Sequence, residues 1–211
     1  MDTDALDAPD KAEINRVAAS GRGIILIVSH LGNIDLTRAT LDAATRSRII
    51  SLVHTRHAEN YARLLGRFRP EAAVNTLQVS EMNPGTIIAL KEAIDQGGWV
   101  AIAGDRTPVQ GAERTSQVRF LGHDAPLPQG PYVLAHLLGC PVYLMFCLRE
   151  NGRHRVYFER FAERIELPRR DKEAALAELA SRYARRLESY CLRDPFQWYN
   201  FFDFWAKAEA R

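Results

Sequence analysis

The chain lacks the hallmarks of a secreted or membrane-spanning protein. It has only three cysteines in 211 residues, and this odd, widely spaced set fits buried free thiols in a reducing compartment better than disulfides or a metal site. No apolar run approaches the roughly 20 residues that a transmembrane helix needs. The first thirteen residues are acidic and polar, unlike a signal peptide. Any membrane attachment is therefore expected to be peripheral.

Several catalytic and binding motifs are also missing. No G-x-S-x-G segment is present, which argues against a conventional serine hydrolase. No P-loop or G-x-G-x-x-G follows a strand-like run, so nucleotide binding has no support. Histidines, cysteines and carboxylates show no structural zinc spacing, and we expect no metal site.

What the chain does contain is the composition of one globular domain over residues 1–211. It is 46% hydrophobic and 26% charged, with a net charge of +2. Residues 1–20 form a polar N-terminal lead-in, and residues 196–211 an aromatic-rich C-terminal tail. Between residues 38 and 69 the sequence has seven arginines and two acidic residues. This basic stretch suits a phosphorylated lipid, an acidic carrier protein or an anionic membrane, or it is a solvated helix face.

Strand-like and helix-like segments alternate along the chain, which predicts a single-domain α/β fold. The apolar runs predict strands at about 24–29, 49–53, 73–79, 99–103, 118–121, 142–148 and 155–161. Helical patterns fall at about 33–45, 57–68, 83–95, 132–138 and 171–192. The last helix carries a single apolar stripe and is assigned no chemistry.

The strongest candidate site follows the first strand. His30 lies just past the strand end, where open α/β sheets gather their ligands. Asp35, five residues later, falls in the first turn of the next helix, where it can orient the imidazole of a general base. The spacing alone is weak evidence, because His54 and Glu59 repeat it.

Two further segments carry candidate chemistry. Asp105 and Arg106 follow the strand at 99–103 and should reach the same sheet edge as His30. The guanidinium fork suits a phosphate or carboxylate, although an Asp–Arg turn also caps loops. Gly130 lies at a predicted helix start, where backbone N–H groups can hold an anion or an oxyanion. A plain structural turn is the commoner use of such a segment.

Four blocks occur in an order that resembles the lysophospholipid acyltransferase superfamily. They are His30-x-x-x-x-Asp35, Gly104-Asp105-Arg106, Phe120-Leu121-Gly122 with Pro128-Gln129-Gly130-Pro131, and Gly139-Cys140-Pro141-Val142. Within that superfamily the chain is most similar to the bacterial late lipid A acyltransferase branch. The resemblance implies a central mixed, largely parallel sheet flanked by helices. It also implies a catalytic pair, His30 and Asp35, and substrate contacts from Asn33, Asp105, Arg106, Gln129 and Gly130.

The activity implied by this resemblance is acyl transfer. A fatty acyl group would move from an acyl carrier protein or coenzyme A thioester to a hydroxyl or amine of a lipid or glycolipid. His30 would be the base and Asp35 its orienting partner, while Asp105 would position Arg106. No cofactor or nucleic acid is expected. The protein would act in the cytoplasm, peripherally on the inner face of the inner membrane. A non-catalytic lipid- or carrier-binding module and a thioesterase are the alternatives.

Two departures from the lipid A branch stand out. That branch usually has glutamate where this chain has Asp35, and its members carry additional N-terminal sequence before the first strand. The chain is accordingly expected to be either a stand-alone short relative or a piece of a larger protein.

The tail between Phe196 and Trp205 has seven aromatic residues in ten positions. It is expected either to fold over the core or to leave some rings exposed as an interfacial anchor.

Overall fold

The computed structural model describes residues 6–37, 41–53, 75–79, 82–107, 114–201 and 204–205, which form an α/β fold. The strands are β1 (Leu6–Asp7), β2 (Ile24–Val28), β3 (Ile49–Val53), β4 (Asn75–Gln78), β5 (Trp99–Ala103), β6 (Thr115–Phe120), β7 (His123–Pro128), β8 (Val142–Glu150) and β9 (Arg153–Ala162). The helices are α1 (Lys11–Ala19), α2 (Ile34–Thr37), α3 (Ala43–Ser47), α4 (Pro84–Asp95), α5 (Gly130–Leu138) and α6 (Lys172–Cys191), with a 3₁₀ turn at Pro195–Gln197.

Seven strands form the main sheet in the order β1-β9-β8-β2-β5-β3-β4, and β6 and β7 form a separate hairpin. Among the described strands of the main sheet, only β8 and β9 run antiparallel to each other. The prediction of a mixed, largely parallel sheet flanked by helices is confirmed. Strand β2 lies between β8 and β5, so the residues that follow it can meet either neighbour.

The apolar run of β2 is explained by burial on both faces. Ile25 and Ile27 belong to the core that packs under α4, α5 and α6, whereas Ile24 and Leu26 belong to the core that contains the buried residues of α1. Because successive strand residues point to opposite faces, a continuous apolar stretch fills both layers. β2 is thereby fixed at the centre of the molecule, which makes its carboxyl end a rigid base for a site.

The helices follow the sequence patterns closely where the apolar stripe is long. In α6 every residue of the predicted stripe is buried: Leu176, Leu179, Tyr183, Leu187 and Tyr190. Helix α4 begins as expected, because the Asn83 side chain accepts a hydrogen bond from the Thr86 N–H and Pro84 occupies the first helical position.

Several elements differ from the sequence-based expectation. The helix expected at 33–45 is divided into α2 and α3, and Asp42 caps the second through its side chain. Residues 6–19, within the polar lead-in, contribute β1 and α1. The strand β7 was not anticipated, because its Pro126 and Pro128 favour a loop over a strand. The helix expected at 57–68, with much of the basic stretch, lies outside the described residues.

Across the described residues, no helix combines the length and the apolar character needed to cross a membrane.

Candidate active site

The loop after β2 is held in one conformation by the neighbouring strand β8. Gly32 has φ +71° and pairs with Cys147, so close that a Cβ on Gly32 would lie 1.7 Å from the Cys147 carbonyl oxygen. The Asn33 N–H donates to the same carbonyl at 2.9 Å. Only glycine combines this backbone conformation with this approach. The turn therefore directs the chain away from β2 toward β8 and leaves His30 at the strand end.

Asp105 reaches His30 because β5 is the parallel neighbour of β2 on the other side. Val28 and Ala103, the last residues of the two strands, are in register, and the Gly104 N–H donates to the Val28 carbonyl at 2.8 Å. The chain positions two residues beyond each strand end are thus side by side. These two positions are occupied by His30 and Asp105.

The carboxylate of Asp105 binds both the ring and the backbone of His30. Its Oδ1 lies 2.9 Å from His30 Nδ1, and its Oδ2 accepts the His30 backbone N–H at 2.7 Å. The Asp105 side chain is 1% exposed, whereas that of His30 is 36% exposed. A carboxylate beside Nδ1 favours the tautomer with a proton on that nitrogen. Nε2 of the neutral ring is then left as an acceptor.

A buried tyrosine lies beneath the two strand ends. Tyr183, on α6, donates its hydroxyl to the Val28 carbonyl at 3.0 Å and is fully buried. Gly104 permits this approach, since a Cβ there would lie 2.7 Å from the Tyr183 ring. Burial, with a contribution from the Asp105 charge, raises the pKa of Tyr183 well above its usual value. Tyr183 therefore stays a neutral hydrogen-bond donor.

The segment after α6 completes the site from the other side. The Gly32 N–H donates to the Gln197 carbonyl at 2.8 Å, and the Tyr199 N–H donates to the His30 carbonyl at 3.0 Å. Between these two bonds, the Trp198 indole Nε1–H donates to Asp105 Oδ2 at 3.1 Å. Asp105 is thus hydrogen-bonded by groups from two segments that are far apart in sequence.

Aromatic rings pack around this indole. The edges of Phe120 and Phe204 meet Trp198 at centroid distances of 5.2 and 4.9 Å, and Trp205 lies 6.1 Å away. Phe120 and Phe204 are almost completely buried. Part of the aromatic tail therefore belongs to the core beside the site, while other rings of the tail face solvent.

Asp35 does not occupy the position that its spacing suggested. It lies in the first turn of α2, which packs on β8, and its side chain is exposed. Within the described residues it makes no side-chain hydrogen bond or ion pair. The turn at Gly32 carries the chain to the β8 side of β2, whereas the partner of His30 Nδ1 comes from the β5 side. The orienting contact assigned to Asp35 is made by Asp105.

Arg106 lies beside the site, although not as a partner of Asp105. Its Nη2 is 3.4 Å from the Tyr199 carbonyl oxygen, and the residue is half-buried. The Asp105 oxygens are instead turned toward His30 and Trp198. Asn33, also expected at the site, is exposed and joins β8 through its backbone.

Gln129 and Gly130 are not brought to His30. The Gln129 amide donates to the Ser116 hydroxyl at 3.2 Å and to Glu173 at 3.0 Å, which places it at the start of β6 and of α6. Phe120, which packs on Trp198, lies at the far end of β6, and Tyr183 lies more than halfway along α6. In the described part of the chain, the contacts of the Gln129 side chain are with β6 and α6, and none of them joins it to the His30 loop.

Sequence reasoning missed Trp198 and Gln197 as site residues. The high aromatic content did single out their segment, but as a tail and not as part of the site. Gln197 holds the segment in place, because its side chain accepts the Arg149 N–H at 2.6 Å and donates to the Arg149 carbonyl at 2.9 Å. His54 and Glu59, the second pair with the same spacing, lie outside the described residues.

This arrangement is suited to proton transfer. A half-exposed imidazole whose Nδ1 faces a buried carboxylate can accept a proton at Nε2, and the carboxylate stabilises the imidazolium that results.

Comparison with protein families gives a match across nearly the whole chain. The family model described as bacterial lipid A biosynthesis acyltransferase matches residues 3–207. A comparison with curated protein sequences finds no match.

Proposed function

Because the chain belongs to the bacterial lipid A biosynthesis acyltransferase family and is an acyltransferase, we propose that His30 is its general base and that Asp105 orients His30. The observation that carries this proposal is the contact between Asp105 Oδ1 and His30 Nδ1, 2.9 Å long and buried on the carboxylate side. The family uses an acyl donor and a lipid acceptor. The donor we propose is a thioester, of acyl carrier protein or of coenzyme A.

The reaction begins with removal of a proton from the acceptor. His30 Nε2 takes the proton of a lipid or glycolipid hydroxyl, or amine, as that group attacks the thioester carbonyl carbon. A new bond to carbon forms, and the carbonyl oxygen becomes an oxyanion. The imidazolium formed at this stage carries its second proton on Nδ1, against Asp105. A buried carboxylate stabilises that charge without itself taking the proton.

Collapse of the tetrahedral intermediate completes the transfer. The carbonyl double bond reforms, the carbon–sulfur bond breaks, and the departing thiolate takes the proton from His30 Nε2. The products are the acylated lipid and a free carrier thiol, and the imidazole is neutral again. No residue of the protein becomes acylated in this sequence, so transfer requires donor and acceptor at the site together.

The decisive experiment measures both products at once. The protein is incubated with a radiolabelled acyl thioester, with and without a lipid A precursor, while free thiol and labelled lipid are quantified. Acyltransfer predicts that thiol release depends on the acceptor and equals the labelled lipid in amount. His30→Ala should abolish both.

The alternatives give different results in the same assay. A thioesterase releases thiol and free fatty acid without an acceptor, and a binding module retains the thioester without turnover. Either result, in a folded protein tested against acyl carrier protein and coenzyme A thioesters, would contradict the proposed reaction.

We also propose that the protein contacts an anionic membrane through the outward rings of the tail, on the inner face of the inner membrane. Phe196 is 94% exposed and Phe201 is 88% exposed. Both adjoin the segment bonded to the His30 loop, so a lipid surface that receives them lies beside the site. Arg149, whose backbone is held by Gln197, is exposed next to this segment and suits an anionic leaflet.

Vesicle binding tests this contact. Phe196→Ser combined with Phe201→Ser should weaken binding to phosphatidylglycerol-containing vesicles at least about tenfold, because the buried apolar area is lost. The control is Ile88→Ser combined with Leu137→Ser, which removes two exposed apolar side chains from α4 and α5. Equal binding by both double variants would contradict the assigned surface.

A further inference from the structure

One hydrogen-bond donor to the Asp105 carboxylate, the Trp198 indole N–H, has no role in the reaction proposed above. Three N–H groups surround this carboxylate: the His30 backbone and Trp198 Nε1 at Oδ2, and His30 Nδ1 at Oδ1. Because Oδ2 is held by two donors at 2.7 and 3.1 Å, the carboxylate plane is fixed. Oδ1 is thereby kept turned toward the imidazole ring. Asp105 is thus oriented from two directions, one of them from the tail.

Trp198 is itself held firmly enough to act in this way. The backbone on either side of it is bonded to the His30 loop through Gln197 and Tyr199, and Leu31 and Trp198 form an antiparallel bridge. Buried rings of Phe120 and Phe204 meet the faces or edges of the indole. The indole N–H therefore has one fixed direction, toward Asp105 Oδ2.

We propose that Trp198 is a positioning residue for the general base, acting through Asp105. This inference rests on the proposed roles of His30 and Asp105. The indole N–H holds the carboxylate in the plane that lets Oδ1 accept the Nδ1 proton. When the imidazolium forms, the carboxylate is already aligned with it, so no reorganisation is required at that step. Trp198 does not touch the reacting atoms in this scheme, and its effect belongs to turnover and not to substrate affinity.

The test removes the N–H while keeping an aromatic ring. Trp198→Phe should lower kcat about tenfold and leave KM within about twofold of its original value. Replacement of Trp198 by 3-benzothienylalanine, which exchanges only the N–H for sulfur, should give the same kcat loss with unchanged thermal stability. Trp99→Phe is the matched control, because Trp99 is buried at the opposite end of β5. It should lower Tm without lowering kcat.

A double-mutant cycle separates positioning from packing. In an Asp105→Asn background, Trp198→Phe should have no further effect on kcat, because the carboxylate that it positions is gone. The proton resonance of His30 Nδ1–H should shift in the Trp198→Phe protein and stay in place in the Trp99→Phe protein. Additive losses, an unmoved resonance, or a loss expressed in KM would each overturn the inference.

Failure of this inference is distinguishable from failure of the proposed reaction. If Asp105→Asn impairs transfer while both Trp198 variants turn over normally, the proposed roles of His30 and Asp105 are supported and Trp198 has no positioning role. If His30→Ala and Asp105→Asn both turn over normally, the proposed reaction itself is wrong.

Discussion

The carboxylates on the two sides of β2 have different surroundings. On the β5 side, Asp105 is buried and bonded to His30, although it is 75 positions away in sequence. On the β8 side, Asp35 is only five residues from His30 and yet is exposed. The difference arises because parallel strands in register bring their ends together, whereas the turn at Gly32 carries the following residues away. Strand pairing, and not sequence spacing, determines the partner of the histidine.

The first way to test this comparison is to remove His30, which Asp35 was expected to orient and which Asp105 contacts in the structure. His30→Ala should lower kcat by a factor of about 10³ or more, in line with the upper range for a general base. Tm should change little because the ring is partly exposed. The control is His136→Ala on α5, whose ring contacts the Ile165 carbonyl. Near-normal turnover by a folded His30→Ala protein would show that His30 is not the base, so neither carboxylate could act through it.

The second test compares the carboxylates directly. Asp105→Asn should lower kcat by about 10² or more, because an amide neither stabilises the imidazolium nor selects the required tautomer. Asp35→Asn, which has the same change in charge and nearly the same shape, should lower kcat by less than about fivefold. Steady-state kinetics on both variants at saturating substrate measures the difference. A larger loss of kcat for Asp35→Asn than for Asp105→Asn would indicate that Asp35, on the β8 side, orients His30.

The third test concerns the turn that separates the two sides. Gly32→Ala should destabilise the protein by about 2 kcal/mol or more, because alanine is strained at φ +71° and its Cβ meets the Cys147 carbonyl. Denaturant unfolding measures this loss. Gly130→Ala is the control, since a Cβ there meets nothing within 4 Å. Equal stability of the two variants would show that the turn does not enforce the separation.

A smaller loss of activity than at His30 or Asp105 is expected at Arg106, on the β5 side. Arg106→Lys should lower kcat/KM roughly tenfold, about 1.4 kcal/mol, because lysine keeps the charge and loses the planar fork. Asn33→Ala, on the β8 side, should change kcat/KM less, since that residue joins the sheet through its backbone. Full activity of the lysine variant would indicate that Arg106 supplies charge alone, or has no part in binding.

Much of the sheet could be predicted because its strands are short apolar runs. β3 and β5 have the bounds that the sequence suggested, since each is a short and mostly apolar run. β7 escaped prediction because it contains two prolines and pairs only within a hairpin. α1 escaped because a polar helix with two buried residues, Ile14 and Val17, resembles a solvated leader.

The site could be predicted only in part, for a different physical reason. His30, Asp105 and Arg106 were identified because residues at strand ends share one sheet edge. Which of them would be bonded depended on strand order and register, which no local pattern contains. Trp198 lies 93 positions from Asp105, so its contact with the carboxylate arises entirely from tertiary structure.

The docking of Gln197, Trp198 and Tyr199 has a consequence for the timing of synthesis. Every described strand of the sheet precedes this segment in the chain, so all of them leave the ribosome before it does. The sheet can therefore assemble while the indole that completes the surroundings of Asp105 is still untranslated. A nascent chain that ends before Trp198 therefore holds His30 and Asp105 without the indole that donates to Asp105 Oδ2.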